Sequence, residues 1–316
     1  MAEGQTRKTV FVVGEAYASQ LYSLDRVPGP GESLIAREVR TVPGGRGVNA
    51  SLLLRSLGAD CSLCTQIGSD AGGRMITSFL AAKGVDTRWI ARGNQVHTGS
   101  ETMVQIVGEA YRSAVNRGAA ALLTVEDVGE ALCHINPDAL LISANLPGKL
   151  VLGTIEEARR CGSQLFLDAF CAPEDFPFAH LEGIELDFIH LDEATFCRLL
   201  RINTLSESNM IRSAIQFQGI LRNRSMVIRR NDGSAVIFIG NVRRVMSAVE
   251  NHPVLDPQTA SDAFAAAFAY SLLLRHSVSA VCDLAEYIYA LTVSGAGASL
   301  SIPSRDTIIK RAAEMR

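Results

Sequence analysis

Short β-branched and apolar runs alternate with stretches of helical spacing along most of the 316-residue chain. "KTVFVVG" (8–14) is a β-branched run ending at a glycine, the pattern of a buried strand. "GVNASLLLRSLGAD" (47–60) reads as a helix stopped by Gly58, "CSLCTQIG" (61–68) as a strand, and "GGRMITSFLAAKGV" (72–85) as a helix stopped by Gly84. Strands are expected at 138–144, 163–169 and 186–192, with helices over 150–162 and from 193 onward. "SMVIRR" and "SAVIFIG" flank Asn231-Asp232-Gly233, a hairpin turn signal. From about residue 260 the chain is apolar almost all round, with Phe264, Phe268 and Leu272 at four-residue steps and alanines between, which predicts a buried helix. Two further helical stretches follow.

Repeated strand–helix–strand order predicts an α/β fold, a doubly wound and mainly parallel sheet between helices. Two regions break the rhythm. Residues 15–43 carry "VPGPGE" and short alternating segments, and residues 96–116 read as two strand-like pieces around a Gly-Glu-Ala turn. Both are expected to form a small β lid outside the main sheet. No repeat or linker is visible, so residues 1–316 are expected to form one domain with its lid.

Composition adds exclusions. A net charge of −3 gives no nucleic-acid footprint, and the one uncharged 18-residue run, 287–304, is interrupted by Gly, Ser and Pro, so no membrane span is expected. The opening "MAEGQTRKTV" has no apolar core or cleavage pattern and is read as carrying no signal peptide. The seven cysteines are odd in number and scattered, as in the reduced thiols of a cytoplasmic protein. Cys61 and Cys64 have redox spacing but sit within a strand pattern, where small core residues are the simpler reading. The histidines show no HExxH and no pairing with cysteine, and neither a P-loop nor a GxGxxG fingerprint is present.

Two loops carry candidate chemistry. In "VPGGRGVNAS" (42–51), Gly44, Gly45 and Gly47 permit positive φ and close backbone approach, and Asn49 can donate and accept; a plain glycine turn with an Asn N-cap explains the same text. In "LDPQTASDAFAAAF", Asp262 opens the buried helix. It is either a cap or a carboxylate held at a buried helix N-terminus, where free N–H groups favour phosphate. Between 222 and 244 lie six arginines and one acidic residue. They read as a solvated edge, or else Arg229 or Arg230 supplies charge toward a phosphate.

"LDRVPGPGES" (24–33), "GGRGVN" (44–49), "DPQTASD" (256–262) and "GASLSIP" (297–303), in this order and spacing, resemble the ribokinase-like (PfkB) carbohydrate kinases over nearly the whole chain. The resemblance implies a ribokinase-like fold and ATP-dependent phosphorylation of a sugar hydroxyl. It implies Asp262 as general base and the N–H groups of Ala260, Ser261 and Asp262 as anion hole. Gly44, Gly45 and Asn49 would hold the sugar, and Gly233 with its neighbours Arg230 and Asp192 would line the nucleotide side. Mg2+ would be held by phosphates and water. Some members bind a monovalent cation such as K+, and Asp256 and Ser301 stand in matching positions. Family lids often pair, so a homodimer through the lid is implied as well.

The chain also departs from the family text. Thr259-Ala260-Ser261-Asp262 stands for Gly-Ala-Gly-Asp, and the Ser261 hydroxyl is placed to cap the helix in competition with a ligand. Ser19 stands where an Asp binds two sugar hydroxyls, with Glu15 and Asp25 nearby but of unknown direction. Asp192-Glu193-Ala194-Thr195 replaces Asn-x-x-Glu, "IRRNDG" (228–233) replaces Thr-x-Gly, and Arg46 replaces a common lysine. Two readings remain: an ATP-dependent kinase for a sugar-like small molecule, and a family member that binds a metabolite or nucleotide without turnover.

Overall fold

The computed structural model describes residues 7–106, 108–248, 253–295 and 297–314. The first six residues of the stretch read for a signal peptide, and Val107 within the lid segment, lie outside them. The chain runs β1 (Thr9–Val13), β2 (Tyr17–Leu24), β3 (Glu38–Gly44), α1 (Arg46–Leu57), β4 (Asp60–Gly68), α2 (Ala71–Ala82), β5 (Ile90–Gly93), β6 (Gly99–Ile106) and β7 (Arg112–Asn116). It continues with α3 (Val125–Ile135), β8 (Ala139–Ser143), α4 (Gly148–Arg160), β9 (Gln164–Ala169), β10 (Phe188–Asp192), α5 (Glu193–Leu200), α6 (Glu207–Ile220) and β11 (Ser225–Arg229). The last elements are β12 (Ala235–Ile239), β13 (Val242–Met246), α7 (Pro257–Leu273), α8 (Val278–Val293) and α9 (Arg305–Glu314).

Among the described residues, nine strands form one sheet in the order β13-β12-β11-β10-β9-β8-β1-β4-β5. From β11 to β5 every pairing is parallel; β12 and β13 extend one edge as antiparallel strands, through the hairpin expected around Asn231-Asp232-Gly233. Helices cover both faces, which is why β8, β10 and β11 are buried along their whole length and read as continuous runs. Strand order reverses at β1, so the crevice at the carboxyl ends of β1, β8 and β9 is a topological switch point, the usual ligand position in such sheets. A second sheet, β3-β2-β6-β7, comes from the two segments expected to form the lid. Cys61 and Cys64 lie buried on β4, as the strand pattern implied.

α7 explains its own unusual text. It lies against α1 and α8 and is buried over most of its length, so alanine lets neighbours approach while Phe264 and Phe268 fill the core beside Phe188. It begins earlier than expected. Asp256 is the N-cap, accepting the Thr259 N–H at 3.0 Å, and Pro257 takes the first helical position. Asp262 is therefore well inside the helix and is not a cap.

α1 starts at Arg46 behind Gly45, which has φ +95, so Asn49 is an interior residue of the second turn and not an N-cap. A Cβ at Gly45 would meet the Glu15 carbonyl oxygen at 2.6 Å. Gly47 serves a different need, because there a Cβ would lie 2.8 Å from the Gly14 carbonyl. Helix and strand touch backbone to backbone at this point. Gly47→Ala is expected to cost about 1–3 kcal/mol by overpacking. Gly219→Ala, at an open helical position, should be neutral or slightly stabilising. Urea denaturation midpoints of the two variants check this contrast.

Candidate active site

A cleft of about 650 Å³, with several charged and amide side chains in its lining, opens at the switch point, between the carboxyl ends of β1, β8 and β9, the start of α7 and the inner face of the lid. Asp262 forms part of its wall although only 2 % exposed. One carboxylate oxygen accepts from Asn49 Nδ2 at 2.9 Å, which ties α7 to α1. The other lies 3.5 Å from the Arg46 guanidinium and has no hydrogen-bond partner. Burial drives the Asp262 pKa well above the ordinary carboxylate value, against the pull of Arg46. The result is a fixed carboxylate with one oxygen free to accept a proton.

Arg46 is buried at the centre of the site. It lies 3.3 Å from an Asp168 carboxylate oxygen and over the ring of Phe170 at 5.7 Å. With its amide turned to satisfy both neighbours, Asn145 accepts from Arg46 Nε at 2.9 Å and donates to the Cys171 carbonyl at 3.1 Å. Burial alone would lower the Arg46 pKa, but Asp262 and Asp168 outweigh it and hold the guanidinium charged. Asp168 in turn meets His190 Nδ1 at 3.0 Å. Burial lowers the His190 pKa, so the ring is a neutral donor, stacked on Phe170. His190, Asp168, Arg46 and Asp262 thus form one buried polar chain ending at the cleft.

The structure brings Gly45, Asn49 and Asp262 together on that wall, with Glu15, Glu101 and Arg117, which sequence reasoning did not assign. Glu15 faces inward from the end of β1, whereas Asp25 is exposed and pairs with Arg37. Gly44 and Ser19 stand behind the wall. Ser19 is buried, and a Cβ at Gly44 would lie 2.1 Å from its Oγ, so this glycine is required by its neighbour.

Four expectations change. The N–H of Ala260 is spent on the Asp256 carbonyl at 3.1 Å, and Ser261 lies a further step inside the helix, so neither N–H points free toward a ligand. The Ser261 hydroxyl is buried without a partner and caps nothing. Asp192 caps α5, with its carboxylate taken by the Thr195 N–H, the Thr195 hydroxyl and the Cys171 N–H. Arg229 does not lie on a solvated edge. It is buried 3.8 Å over the Tyr289 ring and 4.7 Å over Phe264, and burial lowers its pKa to about 10. Arg224 and Arg244 do sit on the surface, paired with Glu185 and Asp283. Arg230 is half-buried near Asp232 in the turn that holds Gly233 at φ +84.

Asp256 and Ser301 do come together. Asp256 accepts from the Thr259 N–H, the Ala298 N–H at 2.9 Å and the Ser301 hydroxyl at 3.2 Å. One donor meets one carboxylate oxygen and two meet the other. Among the described residues no three His, Cys, Asp or Glu side chains converge on a metal position. No described helix is long and apolar enough to cross a membrane.

Comparison with known proteins decides the family. The family model described as pfkB family carbohydrate kinase matches residues 7–305. The chain belongs to the pfkB family of carbohydrate kinases. This pfkB kinase is 26% identical to the ribokinase of Haemophilus influenzae over 306 residues, covering 96% of this chain and 98% of the relative. It is 26% identical to the Bacillus subtilis ribokinase, covering 95% and 98%. Among solved structures, Arabidopsis thaliana ribokinase complexed with ribose and ATP shares the fold with a TM-score of 0.80 at 20% identity, covering 96% of this chain and 98% of that one. Giardia lamblia ribokinase gives 0.85 at 13% identity, covering 98% and 100%. The fold expected of a pfkB kinase, including its small second sheet, is the one observed.

Proposed function

We propose that the cleft catalyses ATP-dependent phosphorylation of a hydroxyl on a sugar-like molecule, with Asp262 as general base. The carrying observation is Asp262 itself, a residue of the cleft wall with one carboxylate oxygen fixed by Asn49 and the other without a hydrogen-bond partner. A substrate hydroxyl there can pass its proton to that oxygen as it attacks the terminal phosphoryl group. Arg46, beside the same carboxylate, is engaged by Asp168, Asn145 and Asp262, so its charge acts on the reacting groups as a fixed field and not as a free phosphate ligand. Ala260 and Ser261 would contribute an anion hole only if the first turn of α7 opened, since the Ala260 N–H is engaged.

The nucleotide is assigned to the turn Arg230–Ser234, where Gly233 holds a left-handed conformation and Arg230 Nε is buried without a partner. Magnesium, when bound with ATP, neutralises phosphate charge; with Asp192 committed to its cap, the phosphates and water would hold it. Asp256 and Ser301 serve in this reading as a hydrogen-bonded clasp between the start of α7 and the loop at Ala298.

One observation favours the second reading, a relative that binds without turnover. The N–H of Ala260 and the carboxylate of Asp192 are both already used by the fold. The test is ATP consumption with magnesium against pentoses, hexoses and nucleosides. Sugar-dependent consumption supports the kinase. Saturable binding with no consumption supports the second reading.

A further inference from the structure

The cleft leaves acceptors unanswered. Glu15 Oε2, Asn49 Oδ1 and Asp262 Oδ1 are buried without hydrogen-bond partners, and all three side chains line the same cavity. A buried acceptor left unpaired costs free energy that a donor-bearing ligand recovers. Hydroxyls answer such groups; carboxylates and phosphates, which bring acceptors, do not. The cations on the wall do not reverse this preference. Arg46 is committed to Asp168, Asn145 and Asp262, and Arg117 shares its wall with the acidic side chains Glu15 and Glu101.

Glu101 adds a fourth acceptor group by a route the sequence conceals. β2 and β6 run parallel with Ser19 directly opposite Glu101. Ser19 Oγ donates to Glu101 Oε2 at 2.8 Å. Ser19 itself is fully buried behind the wall, while Glu101, with its longer side chain, reaches the cleft. A carboxylate expected on β2 is therefore delivered at the same level from the neighbouring strand, and the serine hydroxyl orients it. Ser19 is thus a positioning residue.

We propose that Glu101 determines substrate specificity, accepting a hydrogen bond from a hydroxyl of a neutral, unphosphorylated polyhydroxy substrate, with Glu15 accepting another. This rests on the reading of the cleft as a sugar site, but it concerns recognition and can be tested without turnover. Calorimetric titration with D-ribose, D-fructose and fructose 6-phosphate supplies the test. A neutral sugar is expected to bind at least about 10-fold more tightly than the sugar phosphate. Glu101→Gln should weaken neutral-sugar binding roughly 10- to 100-fold while leaving ATP affinity unchanged. The exchange Ser19→Asp with Glu101→Ser, which returns the carboxylate to β2, should recover part of the loss. It carries the test should Glu101→Gln alone fail to fold by circular dichroism.

Equal or tighter binding of the phosphate, or no neutral sugar bound, overturns the proposal. So does an unchanged affinity in folded Glu101→Gln, or an exchange variant that folds yet recovers nothing. If neutral sugars bind as described and ATP is not consumed, recognition stands and the kinase reading alone fails.

Discussion

Asp262→Asn is expected to lower kcat for sugar phosphorylation by about 10²–10⁴-fold, the range of a lost general base. Asparagine keeps the shape and can still accept from Asn49, so sugar and ATP affinities should change little. Stability should not fall. The Asp262 pKa is raised in the fold, chiefly by burial, so the folded state binds its proton more tightly than the unfolded chain. Its contribution to stability is complete below the unfolded pKa and is lost as pH rises through the folded one. The variant should therefore lack the part of the stability decline that the parent shows from about pH 4 upward. Single-turnover kinetics with thermal unfolding across pH separates the two effects. A large loss of kcat together with a lower melting temperature at neutral pH would point to a structural role instead.

Arg46→Gln is the second large effect. Asp168 and Asp262 would lose their shared cation, and stranding buried charge in this way costs about 3–5 kcal/mol. Arg46 lowers the Asp262 pKa from the higher value that burial alone would impose. Without it the carboxylate protonates more readily, and the acid limb of the kcat/KM profile moves to higher pH. Arg46→Lys retains the charge but not the planar fork that meets Asp168 and Asn145. It should hold the acid limb near the parent position while kcat falls. Equal displacement in both variants would mean that charge at position 46 does not set the base.

The sheet, the hairpin and the all-round apolar α7 were legible because burial on two faces leaves an unmistakable pattern. The lid was legible for the opposite reason, as alternating text that broke the strand–helix rhythm. The start of α7 was also written in the chain. Asp256 followed by Pro257 is a cap-and-first-turn signal, and reading the helix from about 260 overlooked it. That one turn removes the Ala260 N–H from the expected anion hole.

Other features had no local signal. Which face of β6 Glu101 presents depends on the pairing of β2 with β6, a contact across 82 positions. Glu15 and Asp25 are both acidic residues near the expected sugar position, and only the fold turns one inward and the other outward. The arginine-rich stretch misled in the same way, since Arg229 points from β11 onto the rings of Phe264 and Tyr289, far along the chain.

The central claim is that the cleft around Asp262 transfers a phosphoryl group from ATP to a sugar hydroxyl. Mass spectrometry of sugars incubated with ATP, magnesium and either parent or Asp262→Asn protein tests it most directly. The account predicts a phosphorylated neutral sugar from the parent and at most a trace from the variant over the same interval. Equal product from both proteins would contradict it.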